Sequence, residues 1–238
     1  MKIKADLHIH TCLSPCGSLE MSPSAIAEAA RRQGLDLAAV TDHNSALNCP
    51  AFADACKRKN IWAMYGIEVT SMEEAHLLCI FETVDKALEF GDFIYGKLPD
   101  ITNNPEIFGD QVYVDADENI LGEVEKYLGN AVSLSIDEIR DEALSRSALF
   151  IPAHIDKPVF SIISQLGFLP DDSYSAIEVF TPSESPAYEG RYSVITSSDA
   201  HYIDDIGKKY FTADIAEKTF LSLALALKEK KNFTGYSG

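Results

Sequence analysis

The sequence predicts an α/β barrel, for three reasons. Predicted strands alternate with predicted helices through most of the chain, which is the order of parallel β/α units, and we count about seven of them. A length of 238 residues suits one such barrel, and the hydrophobic content of 46% is ample for a single core. Polar residues that can bind metal fall near the ends of strands, where the loops on one rim of a barrel build sites. We therefore predict one domain over residues 1–238.

The first strand is predicted over residues 2–10, where apolar and polar residues alternate with a period of two. Residues two apart on a strand point the same way and lie roughly 6.5–7 Å apart. The imidazoles of His8 and His10 can therefore converge on one metal ion, about 2.0–2.1 Å from each ring nitrogen. Two polar rings on the inward face of a strand would otherwise need buried partners.

The remaining elements follow from helix caps and apolar patterns. Ser22-Pro23 is typical of a helix start and Gly34 of a helix end. Ser135 and Glu138 form a capping-box pattern at the start of a later helix. The patterns predict strands at 37–41, 62–69, 75–80, 149–152, 175–180, 193–197 and 211–215, and helices at 24–33, 50–59, 135–147, 159–166 and 218–230.

The segment 83–147 is the least regular part of the chain. Helical patterns at 83–98 and near 121–128 are separated by a polar stretch with Pro99 and Pro105, which indicates a loop. We predict a variable helical and loop segment inside the same domain.

The charge balance excludes several classes of partner. The chain has 20 basic and 37 acidic residues, a net charge of −17. Proteins that contact the nucleic-acid backbone present basic surfaces, so long nucleic acid is not an expected partner, and neither is an anionic membrane. A small phosphorylated substrate would also be repelled at long range, so its local attraction must come from bound cations.

Cysteine content and hydropathy indicate the compartment. The five cysteines are an odd number, and neither a signal peptide nor an apolar run of about 20 residues is evident. These features predict a protein of the reducing cytoplasm.

Eight residues near predicted strand ends are candidate metal ligands. They are His8, His10, His43, Glu68, His76, His154, Asp199 and His201. Imidazoles mixed with a few carboxylates suit Zn²⁺, Mn²⁺ or Fe²⁺ better than Ca²⁺ or Mg²⁺. Eight ligands are too many for one tetrahedral ion, so two or three divalent ions are expected. Glu68 is the natural bridge because a carboxylate has two oxygens to share.

This ordered set, from His-x-His in the first strand to Asp-x-His near residue 200, resembles the PHP family, the polymerase and histidinol phosphatase superfamily of metal-dependent phosphoesterases. The resemblance spans about residues 6–201. It implies a distorted (β/α)7 TIM-like barrel with a trinuclear site at the C-terminal rim. By motif, His8, His10, Glu68 and Asp199 would hold the first ion, Glu68, His76 and His154 the second, and His43 and His201 the third. No family motif matches segment 83–147, where we expect substrate specificity to be set.

The third ion needs one more ligand, from the loop after the first strand. The family commonly has His or Asp there, whereas this chain has Cys16 at the matching distance. A thiolate is a good ligand for Zn²⁺ or Fe²⁺ and a poor one for Mg²⁺.

The resemblance implies hydrolysis of a small phosphomonoester, of nucleotide or histidinol-phosphate type, by attack of a hydroxide that bridges two ions. Asp199, His201 and His43 are the candidates for moving a proton to the leaving group. Lys157, Arg191 and Lys209 are candidate contacts to the substrate phosphate.

Two alternatives stay open. Amidohydrolases also use His-x-His sites in barrels, but they typically have a carboxylated lysine or a late Asp without the following His, so Asp199-Ala200-His201 favours the phosphoesterase. A non-catalytic or regulatory metal-binding barrel is the other alternative, and the intact ligand set and stand-alone length weigh against it.

Four further carboxylates have two interpretations each. Asp6 and Asp42 either orient ligand imidazoles or cap turns, and we expect the orienting role. Asp156 and Glu178 are either orienting groups or ordinary polar residues of the rim.

Overall fold

The fold alternates between strands and helices in the computed structural model, which describes residues 1–181, 188 and 190–229. The strands are β1 (Lys2–Asp6), β2 (Leu37–His43), β3 (Trp62–Thr70), β4 (His76–Phe81), β5 (Val112–Val114), β6 (Ile120–Glu123), β7 (Leu149–Pro152), β8 (Ile177–Glu178), β9 (Val194–Ile195) and β10 (Phe211–Asp214). The helices are α1 (Pro23–Arg32), α2 (Cys49–Lys59), α3 (Val84–Tyr95), α4 (Pro105–Phe108), α5 (Ile136–Ser145), α6 (Ile162–Leu166) and α7 (Phe220–Glu229), with a 3-10 helix at Ile203–Asp205. The last residue of the predicted helix 218–230 lies outside the described residues.

Helix starts form where the sequence places capping side chains. The Ser22 hydroxyl accepts a hydrogen bond from the N–H of Ala25, and Pro23 occupies the first position of α1. At α5, Ser135 and Glu138 form the reciprocal capping box. Both caps confirm the starts that the sequence predicts.

The strands curl into a distorted TIM-like barrel. Six of them form one sheet, in the order β10-β1-β2-β3-β4-β7. β8 and β9 form a parallel pair, and this pair meets the end of β7 where the N–H of Ile155 donates to the carbonyl of Glu178 at 2.8 Å. The chain after β9 then returns to the chain after β1, because Ala200 pairs with Ile9. The predicted α/β barrel is thereby confirmed.

Two strands of this sheet run against the parallel direction that the sequence predicts, and they are β10, which is antiparallel to β1, and β4. β1, β2 and β3 are parallel, whereas β4 is antiparallel to both β3 and β7. Only residues 71–75 join β3 to β4, and a parallel connection needs roughly a dozen or more. β3 and β4 therefore form a hairpin with Thr70 opposite His76, which brings the first residue of β4 to the rim where its neighbours end.

Segment 83–147 contains α3, α4, the β5–β6 hairpin and α5. The prediction of a helix near 121–128 is wrong, since β6 pairs antiparallel with β5. The side chain of Gln111 explains the extended backbone that follows: its amide nitrogen donates to the carbonyls of Val124 and Lys126, and its oxygen accepts from the N–H of Leu128. These bonds compete directly with a helical ladder.

The inward face of the barrel changes from apolar to polar along the strands. Alternate residues point inward, and Leu37, Met64 and Leu78 belong to the buried interior cluster, which α7 closes with Leu223 and Leu227. Toward the opposite rim the same face carries polar residues, and His43 is paired in register with Glu68. The apolar layer thus supports a polar layer at one end only.

Among the described residues, no helix has the length and hydropathy to cross a bilayer.

Asn44 connects segment 83–147 to the barrel by hydrogen bonds, and the contribution of these bonds to the stability of the fold can be tested. Its amide donates to the carbonyls of Leu128 and Asn130 and accepts from the N–H of Thr70, and its φ is 49°. We expect Asn44→Ala to lower the free energy of unfolding by about 1–3 kcal/mol, because buried backbone groups lose their partners. Urea denaturation measures this, and the exposed control Asn119→Ala should change it by less than about 0.5 kcal/mol. Equal losses of unfolding free energy in the two variants would contradict this role of Asn44.

Candidate metal centre

The metal ligands that the sequence predicts come together at one rim of the barrel. Each comes from a strand end or from the loop beside it: His8, His10 and Cys16 after β1, His43 at the end of β2, Glu68 near the end of β3, His76 at the start of β4, His154 after β7, and Asp199 and His201 after β9. The structure thus brings together side chains that are up to 193 positions apart in the chain. The backbone shows the same proximity, because the N–H of Ala200, the neighbour of His201, donates to the carbonyl of His8.

Glu68 lies at the centre of this cluster and is almost fully buried. Its Oε1 is 3.2 Å from His8 Nε2, 2.9 Å from His76 Nδ1 and 3.3 Å from His154 Nε2. Its Oε2 is 3.3 Å from His10 Nε2 and 3.2 Å from His43 Nδ1. The two carboxylate oxygens therefore face two different sets of imidazoles, which is the arrangement of a bridging ligand.

The spacing of these atoms fits shared cations better than hydrogen bonds. Two ligands of one ion, each about 2.0–2.1 Å from it in a tetrahedral shell, lie about 3.4 Å apart. The Glu68 contacts above span 2.9–3.3 Å, yet buried Glu68 Oε1 and His43 Nδ1 make no hydrogen bond. Buried polar atoms without partners are rare in native proteins, so these atoms point to divalent ions.

Asp199 completes the side of the cluster near β1. Its Oδ1 is 3.4 Å from both His8 Nε2 and His10 Nε2. Asp199 and His154 have φ values of 52° and 30°, in the left-handed region that residues other than glycine rarely adopt. Such strain persists only where the surrounding structure imposes it, and it concentrates at functional sites.

A third group of donors contains sulfur. One ligand atom each from His10, Cys16, His43 and His201 lies within 4.8 Å of the others, and Cys16 Sγ is 3.1 Å from His201 Nε2. Cys16 is exposed as a residue, but its sulfur faces the cluster. This donor set has no carboxylate, and its imidazole and thiolate ligands suit Zn²⁺ or Fe²⁺.

The protonation states suit metal binding. Burial opposes the charge of Glu68, but His76, His8 and His43 overcome this and hold its pKa well below the usual range. Burial lowers the pKa of His201 to about 4 and lowers that of His43 as well. At neutral pH these residues therefore present a carboxylate and neutral imidazoles, the forms that bind cations.

The carboxylates also favour positive charge between them. Burial alone would lower the pKa of His8, yet Glu178 and Glu68 raise it well above its usual value. His10 behaves similarly, with a pKa raised to about 9 by Asp199 and Glu68 against the effect of burial. A divalent cation would supply the charge that this buried group of carboxylates favours.

Glu178 orients His8. Its Oε2 lies 2.9 Å from His8 Nδ1 and accepts a hydrogen bond from the N–H of His154 at 3.0 Å. A carboxylate on the second ring nitrogen fixes the tautomer and the direction of a ligand histidine. The sequence left Glu178 open between two roles, and the structure favours the orienting one.

His10 is oriented by Ser14, a residue that the sequence analysis missed. Ser14 Oγ is 3.0 Å from His10 Nδ1 and donates to Asp42 Oδ1 at 2.7 Å. Asp42 thus acts on His10 through a serine. In the sequence, only the position of this serine, four residues after a candidate ligand histidine, could have indicated the role, and such a pattern is weak.

Asp6 does not have the orienting role that the sequence predicts. Its carboxylate accepts from the N–H groups of Ser198 and Gly207, at 3.0 and 3.1 Å. Asp6 therefore takes the capping role and fixes the loop after β9, which carries Asp199, against the end of β1.

The three candidate substrate contacts separate into two places. Lys157 forms an ion pair with Asp199, and Lys209 lies over the ring of Phe180. Arg191 precedes β9, at the end opposite Asp199, and pairs with Asp171 at 3.2 Å. The structure therefore places the two lysines beside the cluster and Arg191 away from it.

The role of Glu178 can be tested by metal affinity. Glu178→Gln keeps the shape of the side chain but removes its charge from His8 Nδ1, so we expect zinc affinity to fall about 10–100-fold. Competition with a chromogenic chelator measures the affinity. The exposed control Glu82→Gln should bind zinc as the unaltered chain does, and equal affinities for the two variants would exclude the orienting role.

Comparisons with solved structures support the fold. The lesion-specific endonuclease EndoQ from Pyrococcus furiosus is 21% identical, with a TM-score of 0.71 over 96% of this chain and 56% of that chain. Endonuclease Q in complex with a 27-mer duplex bearing an abasic lesion is 20% identical, with a TM-score of 0.70. A candidate metal-dependent phosphoesterase from Bifidobacterium adolescentis is 18% identical, with a TM-score of 0.60 over 86% of this chain and 88% of that chain. The chain thus spans little more than half of the endonuclease.

No curated protein matches the chain. The family model described as "PHP domain" matches residues 6–94, a range that contains His8, His10, His43, Glu68 and His76. This match confirms, over residues 6–94, the resemblance to the PHP family that the sequence indicates.

Proposed function

We propose that the chain hydrolyses a small phosphomonoester, of nucleotide or histidinol-phosphate type, with two or three Zn²⁺, Mn²⁺ or Fe²⁺ ions. The observation that carries this proposal is the buried carboxylate of Glu68, whose two oxygens face separate sets of imidazoles. Ions bound there would supply a water of lowered pKa and positive charge for the phosphoryl oxygens. The residues of the chain hold the ions, orient them and position the substrate.

Proton transfer to the leaving group falls to Asp199, His201 or His43, which we propose as the catalytic residues. His201 is partly exposed at the mouth of the site, and its Nδ1 lies 2.8 Å from the carbonyl of Asp199. Asp199 also pairs with Lys157, so a phosphate seated at the cluster would lie beside an ammonium group. A ligand cannot serve fully as an acid as well, and the outer position of His201 favours it for this role.

Cys16 is better suited to bind an ion than to attack phosphorus. Its contact with His201 has the form of a cysteine–histidine pair, but reactive cysteines have a depressed pKa. Here burial, followed by the charge of Glu68, raises the pKa of the thiol to about 12. A bound cation reverses this effect by stabilising the thiolate.

Nucleic acid is the second candidate substrate, because the structural neighbours include Endonuclease Q in complex with a DNA duplex. The net charge of −17 opposes this reading, since counterion release from phosphates requires basic contacts. We therefore favour a small molecule. All five cysteines are free, which supports our proposal of a reducing cytoplasm.

His8→Ala tests the proposed centre. Losing a ligand should cost more than the roughly 10–100-fold loss typical of an orienting partner, so we expect phosphate release to fall at least a hundredfold. The circular dichroism spectrum should keep its helical signal, because His8 belongs to neither apolar cluster. Elemental analysis of both proteins as isolated should show fewer ions in the variant. Normal turnover by a folded His8→Ala protein would place the active site elsewhere.

Substrate class is tested by a screen on the metal-loaded protein. We expect phosphate release from at least one of 4-nitrophenyl phosphate, a nucleoside monophosphate and histidinol phosphate, with no cut in a duplex that contains one abasic site. Treatment with a chelator should abolish release, and added Zn²⁺, Mn²⁺ or Fe²⁺ should restore it. Strand cleavage without release from any small substrate would favour the nuclease instead.

A further inference from the structure

Two lysines beside the metal centre share one aromatic ring. Lys157 Nζ lies 4.7 Å from the centre of the Phe180 ring, and Lys209 Nζ lies 2.8 Å from it. The two ammonium groups are therefore no farther apart than the sum of these distances. Lys157 also pairs with Asp199, so a band of positive charge leads outward from the cluster to Lys209.

Asp156 fixes the ring between the lysines. Its carboxylate accepts hydrogen bonds from the N–H groups of Phe180 and Thr181, both at 2.6 Å. Asp156 lies between His154 and Lys157 in the loop after β7. One loop thus delivers a predicted metal ligand, a lysine and the anchor of the aromatic platform, and Asp156 is a positioning residue.

Lys209 has no ion-pair partner within the described part of the chain. Burial, followed by the like charge of Lys157, lowers its pKa, and the more distant carboxylates of Asp199, Asp156 and Glu178 only partly oppose this effect. The adjacent Lys208 pairs with Asp205 on the surface at 2.9 Å, whereas no carboxylate lies within ion-pair distance of Lys209 in residues 1–181, 188 and 190–229. In a chain with 17 more acidic than basic residues, a half-buried lysine that shares one aromatic ring with another lysine indicates an anionic ligand.

We propose that Lys209, supported by Lys157 and the Phe180 ring, binds a second phosphate group of the substrate, one that is not hydrolysed. This inference rests on the proposed function and narrows its substrate to a small bisphosphate. A small molecule is favoured over a nucleic-acid strand because the segment before Lys209 carries Asp204 and Asp205, which would repel further phosphates. The short path from Asp199 to Lys209 suits a short carbon chain between the two groups.

The test compares two non-hydrolysable probes on the metal-loaded protein by calorimetry: propane-1,3-bisphosphonate and propylphosphonate. We expect the bisphosphonate to bind at least about tenfold more tightly, as a partly buried ion pair allows. Lys209→Met should remove most of this difference and Lys209→Arg should retain it. Lys208→Met, the matched surface control, should leave it unchanged.

Turnover separates this inference from the proposed function. With 1,3-propanediol bisphosphate and its monophosphate as substrates, Lys209→Met should raise the KM of the bisphosphate selectively, by about tenfold, with little change in kcat. Selective bisphosphonate binding without any phosphate release would retain the subsite and overturn the hydrolase. Three results would overturn the subsite. The unaltered protein could bind the two probes equally, or Lys209→Met could affect both probes equally. A short oligonucleotide could also compete more tightly than the bisphosphonate.

Discussion

The buried carboxylate of Glu68 is the constraint on which the rest of the structure depends. An ionised group removed from water is costly unless it is paired, and five imidazoles surround this one. These imidazoles reach the carboxylate from four separate parts of the fold: after β1, at the end of β2, at the start of β4 and after β7. The barrel allows this because the ends of its strands converge at one rim, and β3 carries Glu68 in the middle of the main sheet.

The barrel interior has an apolar layer and a polar layer, and Glu68 lies in the polar layer, at the edge of the apolar core. On β2, β3 and β4 the inward face is apolar toward the end that α7 closes and polar at the other. The register that pairs His43 with Glu68 also places Leu78 opposite Glu68 on the other side. A shift of one residue would turn every side chain of a strand to the other face, so the apolar packing and the candidate metal cluster require the same register.

The side chains that orient the candidate ligand histidines, and the backbone that carries them, have an energetic cost of their own. Glu178 holds His8, and Asp42 holds His10 through Ser14, so rotation of either ring breaks buried hydrogen bonds. Left-handed backbone at His154 and Asp199 adds strain that the surrounding contacts must offset. The site is therefore locally less stable than an unstrained one would be, but its donor atoms have a fixed arrangement, as is usual for functional sites.

The sequence by itself determined the set of candidate ligands and most of the elements, because these depend on local signals. The alternation of apolar and polar residues continues past the end of β1 at Asp6, so His8 and His10 still point the same way, and Ser135 with Glu138 starts a helix through its own hydrogen bonds. Only the tertiary structure decided which way β4 runs, that residues near 121–128 are not helical, and that Lys209 lies by the cluster while Arg191 does not. These outcomes depend on contacts between residues distant in the chain, such as those of Gln111 with the backbone after β6. Local patterns carry no information about such contacts, because the free energy that decides them arises only when the barrel closes.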